Sequence, residues 1–170
     1  NGNLQDSIFY FRKTVSESPG KRHAEACLRL GRLHDHQDEL DSAIFWLHKA
    51  LQDSTDGKFP DARFELGQVR VKQGQLEAAL EQFKMAIEES PKRIHPNGNN
   101  GIGYVLQKFG RIDEAIPYLK LAIQQKDGKF PEACVNLSYA YKMLGLPGEV
   151  FAYCQKAIED HDSLQTCQSI

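Results

Sequence analysis

The residues best able to do chemistry are few, and the densest group is a short run of histidines and aspartates. His34, Asp35, His36 and Asp38 lie close together in the sequence, and imidazole and carboxylate groups are common metal ligands. On a helix, residues two positions apart point to different sides, so His34 and His36 cannot reach one ion unless the helix ends there. We therefore interpret His34 as a packing residue, at the position that Tyr141 takes in a later segment.

Sequence motifs of known enzyme classes are absent. The chain has no HExxH zinc motif, no nucleophile elbow, no zinc-ribbon spacing and no adjacent set of Cys, His and Asp. The glycine-rich run Asn97 to Gly103 fits neither phosphate-binding pattern, GxGxxG or GxxxxGK[ST]. The sequence therefore predicts no catalytic residue, no metal site and no cofactor, and we expect a protein that is not an enzyme.

The polar residues are carried by a unit that the sequence repeats. Its clearest copy runs from Pro60 to Pro91, with apolar residues at helical spacing on both sides of Gly74. Pro60 suits the first turn of one helix, Gly74 the turn between two helices, and Pro91 the end of the second. A period of 36 residues, and 35 between the last two copies, relates this unit to other segments. Such a period is typical of a solenoid of helical hairpins.

Small residues recur at fixed places in each copy. Gly67 lies inside the first predicted helix, where glycine costs about 1 kcal/mol relative to alanine. Because Ala79 is equally small in the second helix, we interpret the two positions as the place where the helices of one hairpin approach closely.

These residues resemble the tetratricopeptide repeat, a helix–turn–helix unit of about 34 residues. Its Leu-Gly position in the first helix is occupied by Leu30-Gly31, Leu66-Gly67, Ile102-Gly103 and Leu137-Ser138. Its Ala, aromatic and Ala positions in the second helix hold Ala43, Leu47 and Ala50, then Ala79, Phe83 and Ala86, then Ala115, Leu119 and Ala122, and lastly Val150, Cys154 and Ala157. The last copy departs from the pattern at Ser138 and Val150. The resemblance implies an all-α, right-handed superhelical solenoid of antiparallel helix pairs with about four and a half repeats.

We expect a single solenoid domain over residues 1–170. It divides into a half repeat at 1–18, repeats at about 24–53, 60–90, 96–126 and 131–161, and the start of a further helix or cap at 162–170. Ile8 and Phe11 belong to the half repeat, where a second helix lacks its first. The sequence is thus consistent with a piece of a longer array or with a short cap at each end, and self-association through exposed repeat ends stays open.

The resemblance also implies that the first helices line a concave groove. The position after the conserved glycine or serine holds Arg32, Gln68, Tyr104 and Tyr139, Asn100 and Asn136 lie nearby on the same face, and Lys72, Lys108 and Lys142 form one edge. Such a groove suits an extended or helical peptide that carries carboxylates. In the alternative interpretation the tyrosines only cover groove surface, and the lysines stand in last helical turns because the helix dipole favours them there.

The glycine-rich run Asn97 to Gly103 permits two interpretations. It either forms a helix that its neighbours stabilise despite poor propensity, or it is a hinge or a place where a ligand approaches the backbone.

Composition limits the partner and the compartment. A net charge of −2 gives no positive field that would gather nucleic acid, and no apolar run approaches the length of a membrane span. Among the four cysteines, Cys27, Cys134 and Cys154 take positions that are mostly apolar in the sister copies. We therefore expect buried, reduced thiols and a cytoplasmic protein.

The predicted function is that of a scaffold or adaptor that binds a peptide or a partner protein in the groove. Two alternatives remain open. The first is a substrate- or regulator-binding arm of a larger enzyme or complex, and the second is an RNA-binding helical repeat array, which the acidic balance disfavours.

Overall fold

The computed structural model describes residues 8–13, 21–54 and 56–160, and all regular structure in those ranges is helical. Residues 8–13 form α1. The longer helices are α2 (Lys21–His36), α3 (Leu40–Gln52), α4 (Pro60–Lys72), α5 (Leu76–Glu89), α6 (Pro96–Lys108), α7 (Ile112–Gln124), α8 (Pro131–Met143) and α9 (Pro147–Asp160). The expected helix or cap at 162–170, and most of the expected half repeat at 1–18, lie outside the described residues.

The helices pack as consecutive pairs within two compact units, Asn1–Arg93 and Ile94–Ile170. In the first unit α2 packs against α3 and α4 against α5, and the two pairs meet through α2, α3 and α4. In the second unit α6 packs against α7 and α8 against α9, with α7 and α6 contacting α8. Short turns join the helices of each pair, so the pairs are antiparallel, and the predicted all-α fold of helix pairs is confirmed. No described helix is long and apolar enough to span a membrane.

The turn inside each hairpin depends on a residue with positive φ. Gly74, Gly110 and Gly145 have φ values of 74°, 73° and 71°, and Asp38 takes the same place in the first pair with φ of 60°. After each of these residues, the next backbone N–H donates to a carbonyl of the preceding helix, as in Gln75 N to Arg70 O at 2.9 Å. This left-handed C-terminal cap is common where a helix must stop and reverse.

The small residues of the first helices face large residues of the second. A methyl group built on Gly67 would lie 2.6 Å from Cδ1 of Phe83, and Phe83 is fully buried. The sister pairs are alike, with Gly31 facing Leu47 and Gly103 facing Leu119. The predicted close approach of the two helices at Gly67 is therefore confirmed, but the facing residue is Phe83 and not Ala79.

The glycine-rich run lies inside a continuous helix. α6 begins at Pro96, and the side chain of His95 accepts a hydrogen bond from Gly98 N at 2.8 Å. Asn99 is 2% exposed, and its Nδ2 donates to Oε1 of Gln125 beyond the end of α7 at 2.8 Å. Packing and polar contacts thus hold this helix despite its glycines, as the first interpretation expects, and a role as hinge or ligand contact stays a prediction.

Candidate functional site

Two asparagine side chains align α6 with α8. Nδ2 of Asn136 donates to Oδ1 of Asn100 at 2.9 Å, and Nε2 of Gln107 donates to the backbone oxygen of Asn136 at 2.6 Å. Equivalent residues of these two helices are 35 positions apart, as Tyr104 and Tyr139 are, so the two asparagines, 36 apart, lie one residue off that register. Their hydrogen bond shows that the middle parts of α6 and α8 are neighbours in space.

The two predicted tyrosines follow these asparagines along the same helices. Tyr139 is 43% exposed, while Tyr104 is half-buried. The Nζ atom of Lys108 lies 5.2 Å from the centre of the Tyr104 ring, within the range of a cation–π interaction. Asn100, Tyr104 and Lys108 recur every four residues and therefore share one face of α6.

Lys142 borders an apolar groove in the last hairpin. The groove has a volume of about 420 Å³, and besides Lys142 it is lined by Gly145, Leu146, Pro147, Val150, Phe151 and Cys154. Phe151 is 72% exposed. The second unit thus presents apolar surface close to a predicted binding lysine.

The predicted groove residues of the first unit are mostly engaged in ion pairs. Nε of Arg32 lies 2.6 Å from Oε1 of Glu65, and Nζ of Lys72 lies 2.7 Å from Oδ1 of Asp35. Burial raises the pKa of Glu65, against the opposing effect of the Arg32 guanidinium. Gln68 is exposed. These ion pairs join α2 to α4. They engage Arg32 and Lys72, two of the three side chains of this unit that were predicted to contact a ligand, the third being Gln68.

A polar cluster that sequence reasoning missed lies in the first hairpin. Nδ1 of His23 is 2.5 Å from Oδ2 of Asp53 and 3.9 Å from Sγ of Cys27, and all three ligand atoms lie within 4.8 Å of one another. Burial, and next the charge of Asp53, raise the pKa of the Cys27 thiol to about 11. The three residues are not adjacent in the sequence, because Asp53 follows the other helix of the pair.

The repeat period contained the signal that would have found this cluster. Cys27 and Asp53 correspond, one period on, to Arg63 and Glu89, whose Nε and Oε1 atoms are 3.0 Å apart. A second period leads to Asn99 and Gln125, which are also hydrogen-bonded. In each of the first three hairpins, a polar or ionisable residue of the first helix thus lies near the C-terminal end of the second helix.

His34 and three cysteines had predicted environments that the structure describes. His34 is buried, with its Nδ1 2.6 Å from Oε2 of Glu39, and its packing role is confirmed. Cys27 and Cys134 are buried, as expected, whereas Cys154 is only half-buried. Its wider exposure follows from its place beside the open groove of the last hairpin.

Of the predicted half repeat, the structure describes residues 8–13. Ile8 is 7% exposed and Phe11 is half-buried, so both have neighbours. Phe9 and Tyr10 are instead 64% and 65% exposed. Self-association stays a prediction, and these two aromatic residues are the more exposed surface for it.

Several solved structures share this architecture. The chain is similar to TTC0263, a thermophilic tetratricopeptide repeat protein of Thermus thermophilus, with a TM-score of 0.78 and 22% identity over 99% of this chain and 88% of that one. It is similar to MamA with a TM-score of 0.73 and 24% identity over 94% and 89%. The likeness to YrrB has a TM-score of 0.69 and 20% identity over 99% and 83%. Identities this low establish the fold alone.

The sequence comparisons agree with the structures. No curated protein sequence matches the chain significantly. Models of the tetratricopeptide repeat match residues 24–52, 50–94 and 97–127, which is more than half of the sequence. The chain belongs to the tetratricopeptide repeat family.

Proposed function

We propose that the protein is a non-enzymatic interaction scaffold that binds a peptide or protein segment on the face shared by α6 and α8. Proteins of its family are generally scaffolds that bind protein partners, and helical repeat arrays offer extended surfaces for this purpose. YrrB, which shares the fold, is described as a tetratricopeptide repeat protein with an unusual peptide-binding site.

The neighbouring positions of Tyr104 and Tyr139 carry the proposal. The Asn100–Asn136 hydrogen bond holds the middle of α6 beside the middle of α8, so the two tyrosines, about one turn further along, belong to adjacent helices about one helix diameter, roughly 10 Å, apart. Tyrosine is enriched among the residues that dominate binding energy. It offers a large rigid surface and a hydroxyl that can pair with a peptide backbone.

The charges of this face favour a segment that carries carboxylates. Lys108 and Lys142 lie one turn beyond the tyrosines in the sequence, and both are exposed. Ammonium groups form charge-assisted hydrogen bonds with carboxylates. The Lys108 ammonium can keep its position over the Tyr104 ring while it meets an acidic side chain of the ligand.

The first unit is a weaker candidate for the same role. Arg32 and Lys72 already have Glu65 and Asp35 as partners, so a ligand carboxylate would have to displace an existing pair. Among the groove residues predicted in the first unit, Gln68 is the side chain best placed to reach a ligand without such a displacement.

The test compares a double variant with a matched control. Tyr104→Ala with Tyr139→Ala is screened against an immobilised peptide library that contains acidic sequences and their lysine-substituted counterparts. We expect wild-type protein to select acidic peptides and the double variant to lose about 2 kcal/mol or more of binding free energy, which is about 30-fold in Kd. Helicity should change little because Tyr139 is exposed and Tyr104 is half-buried.

The control is Phe45→Ala, which removes an aromatic ring that is 61% exposed on α3. It should bind the selected peptides as wild type does. Equal binding by the double variant and wild type would refute the proposal, and so would a loss of the same size in the control.

We also propose that the protein works in a reducing compartment such as the cytoplasm. The buried thiol of Cys27, which forms no disulfide, supports this, because proteins of oxidising compartments tend to pair their cysteines.

A further inference from the structure

We propose that His23, Cys27 and Asp53 bind a divalent transition-metal ion, with zinc as the best fit. Imidazole nitrogen, thiolate sulfur and carboxylate oxygen are the three donor types that zinc sites use. Their candidate ligand atoms lie within 4.8 Å of one another at one end of the first hairpin. This site is separate from the proposed peptide surface on α6 and α8, so either proposal can fail alone.

The positions of the three residues make the arrangement a natural chelate. His23 and Cys27 are four residues apart on α2, so they project from the same face of that helix. Asp53 is the C-terminal cap residue of α3, and it meets them from the other helix of the pair. Cys27 is fully buried, while the side chains of His23 and Asp53 are 13% and 29% exposed and leave a path from solvent.

The carboxylate of Asp53 is the point at which the charged groups of the cluster meet. Its buried Oδ2 lies 2.5 Å from Nδ1 of His23 and 3.8 Å from Nζ of Lys49. A metal ion would replace these two contacts with one cation held by this oxygen, the His23 nitrogen and the Cys27 sulfur.

The sister hairpins have hydrogen-bonded pairs at the positions of Cys27 and Asp53. The second hairpin has Arg63 bonded to Glu89 at 3.0 Å, and the third has Asn99 bonded to Gln125. A thiol is a poor hydrogen-bond donor, so Cys27 cannot replace the arginine. Its sulfur is instead a good metal ligand once it loses its proton.

The distances require only a small adjustment for tetrahedral zinc. Ideal zinc–ligand lengths place the nitrogen and sulfur about 3.5 Å apart and the nitrogen and oxygen about 3.3 Å apart. The observed separations are 3.9 Å and 2.5 Å, so the His23 nitrogen and the Asp53 oxygen would have to move apart by about 0.8 Å to ligate one ion. Lys49, whose Nζ is 3.8 Å from Oδ2 of Asp53, would turn toward solvent as the ion enters.

Binding would also change the protonation of the thiol. Burial raises the pKa of Cys27 and keeps it protonated in the metal-free protein, and coordination to zinc deprotonates a thiol outright. Each ion bound therefore releases a proton. Three protein ligands leave the fourth coordination position to water or to an external donor, and the ion ties the end of α3 to the start of α2.

Cobalt provides the most direct test, because Co²⁺ in a zinc site has visible absorption bands and a thiolate charge-transfer band in the near ultraviolet. The metal-free full chain, held reduced, is titrated with Co²⁺ and then with Zn²⁺. We expect one Co²⁺ per chain with both sets of bands, and their loss when Zn²⁺ displaces it. Cys27→Ser and Asp53→Asn should each weaken Co²⁺ binding by at least about tenfold.

The matched control is Cys134→Ser, in the first helix of the last hairpin and equally buried. It should keep the full cobalt spectrum. Absence of the bands in wild type, their persistence in Cys27→Ser, or an equal loss in Cys134→Ser would each overturn the proposal.

Thermal unfolding gives a second readout that does not depend on colour. Zn²⁺ should raise the melting temperature of wild type and not that of Asp53→Asn, a variant that leaves Cys27 in place. An equal rise in both proteins would assign the zinc to another part of the chain and would also overturn the proposal.

Discussion

Replacement of Gly67 by leucine tests the packing of the hairpins most directly. A Cβ at this position would lie within 2.6 Å of Cδ1 of Phe83, whereas carbon atoms in ordinary contact are about 3.5 to 4.0 Å apart. The ring would have to move by roughly 1 Å for the first carbon alone. Phe83 is fully buried and packs against Phe64, with ring centres 5.7 Å apart, so little room exists for that movement.

The magnitude follows from two opposing terms. Overpacking a well-filled core costs about 1 to 3 kcal/mol and occasionally more. Replacement of the glycine also raises the helix propensity at this position, which stabilises the helix by somewhat less than about 1 kcal/mol, because leucine has nearly the helix propensity of alanine. Gly67→Ala already sets one carbon against the buried ring of Phe83 and should lower the free energy of unfolding, and Gly67→Leu, which adds four carbons, should lower it further, by about 2 kcal/mol or more.

The assay is urea unfolding followed by circular dichroism. Gln75→Leu is the control, because Gln75 is exposed in the turn of the same hairpin and its hydrogen bond with Arg70 is also exposed. Its urea midpoint should stay close to that of wild type. Equal midpoints for Gly67→Leu and Gln75→Leu would refute the inference that Gly67 is required by the close approach of α4 and α5.

Two further predictions concern the turns and the polar pairs at the ends of the hairpins. Asp38→Gly should raise the free energy of unfolding by about 0.5 to 1 kcal/mol in thermal melts, because φ of 60° is strained for aspartate. Asp38→Ala should lower it, and equal effects of the two would contradict this explanation. Glu89→Ala should cost about 1 to 3 kcal/mol in urea unfolding, because it leaves Arg63, whose side chain is 18% exposed, without its carboxylate. A double-mutant cycle with Arg63→Met should then give a coupling of at least about 0.5 kcal/mol, and zero coupling would show that the pair is not a stabilising unit.

The helix pairs could be predicted because their signals are local and repeated. Pro60 and Gly74 mark the start of a helix and a turn within a few residues, and similar marks return at later periods. The sequence marked Gly67 and Ala79 as the place of close approach, whereas the contact of Gly67 with the large Phe83 was seen only in the structure. The fourth copy also has a small residue in its first helix, because the fully buried Ser138 takes the glycine position. Cys154 takes the position of the larger residue in its second helix.

The partners of individual polar side chains could not be predicted in the same way. The sequence placed Arg32 and Lys72 on a ligand-binding face, and the structure pairs them with Glu65 and Asp35. Whether a long side chain turns to a neighbouring helix or to a ligand depends on differences of about 1 kcal/mol or less at an exposed site. No pattern of spacing within one helix contains that information, although both pairs span close to one repeat period.

The two units connect their first helices by different chemistry, and this difference supports our proposal that the second unit holds the binding surface. α2 and α4 are joined by opposite charges, which leave the cations of that face occupied. α6 and α8 are joined by amides, through Asn100, Asn136 and Gln107, and amides satisfy one another without using a charge. These links do not use the Lys108 ammonium, which lies over the Tyr104 ring. The same repeat register thus produces a face held by ion pairs in one unit and, in the other, a face of tyrosines and lysines whose chemistry suits an acidic segment.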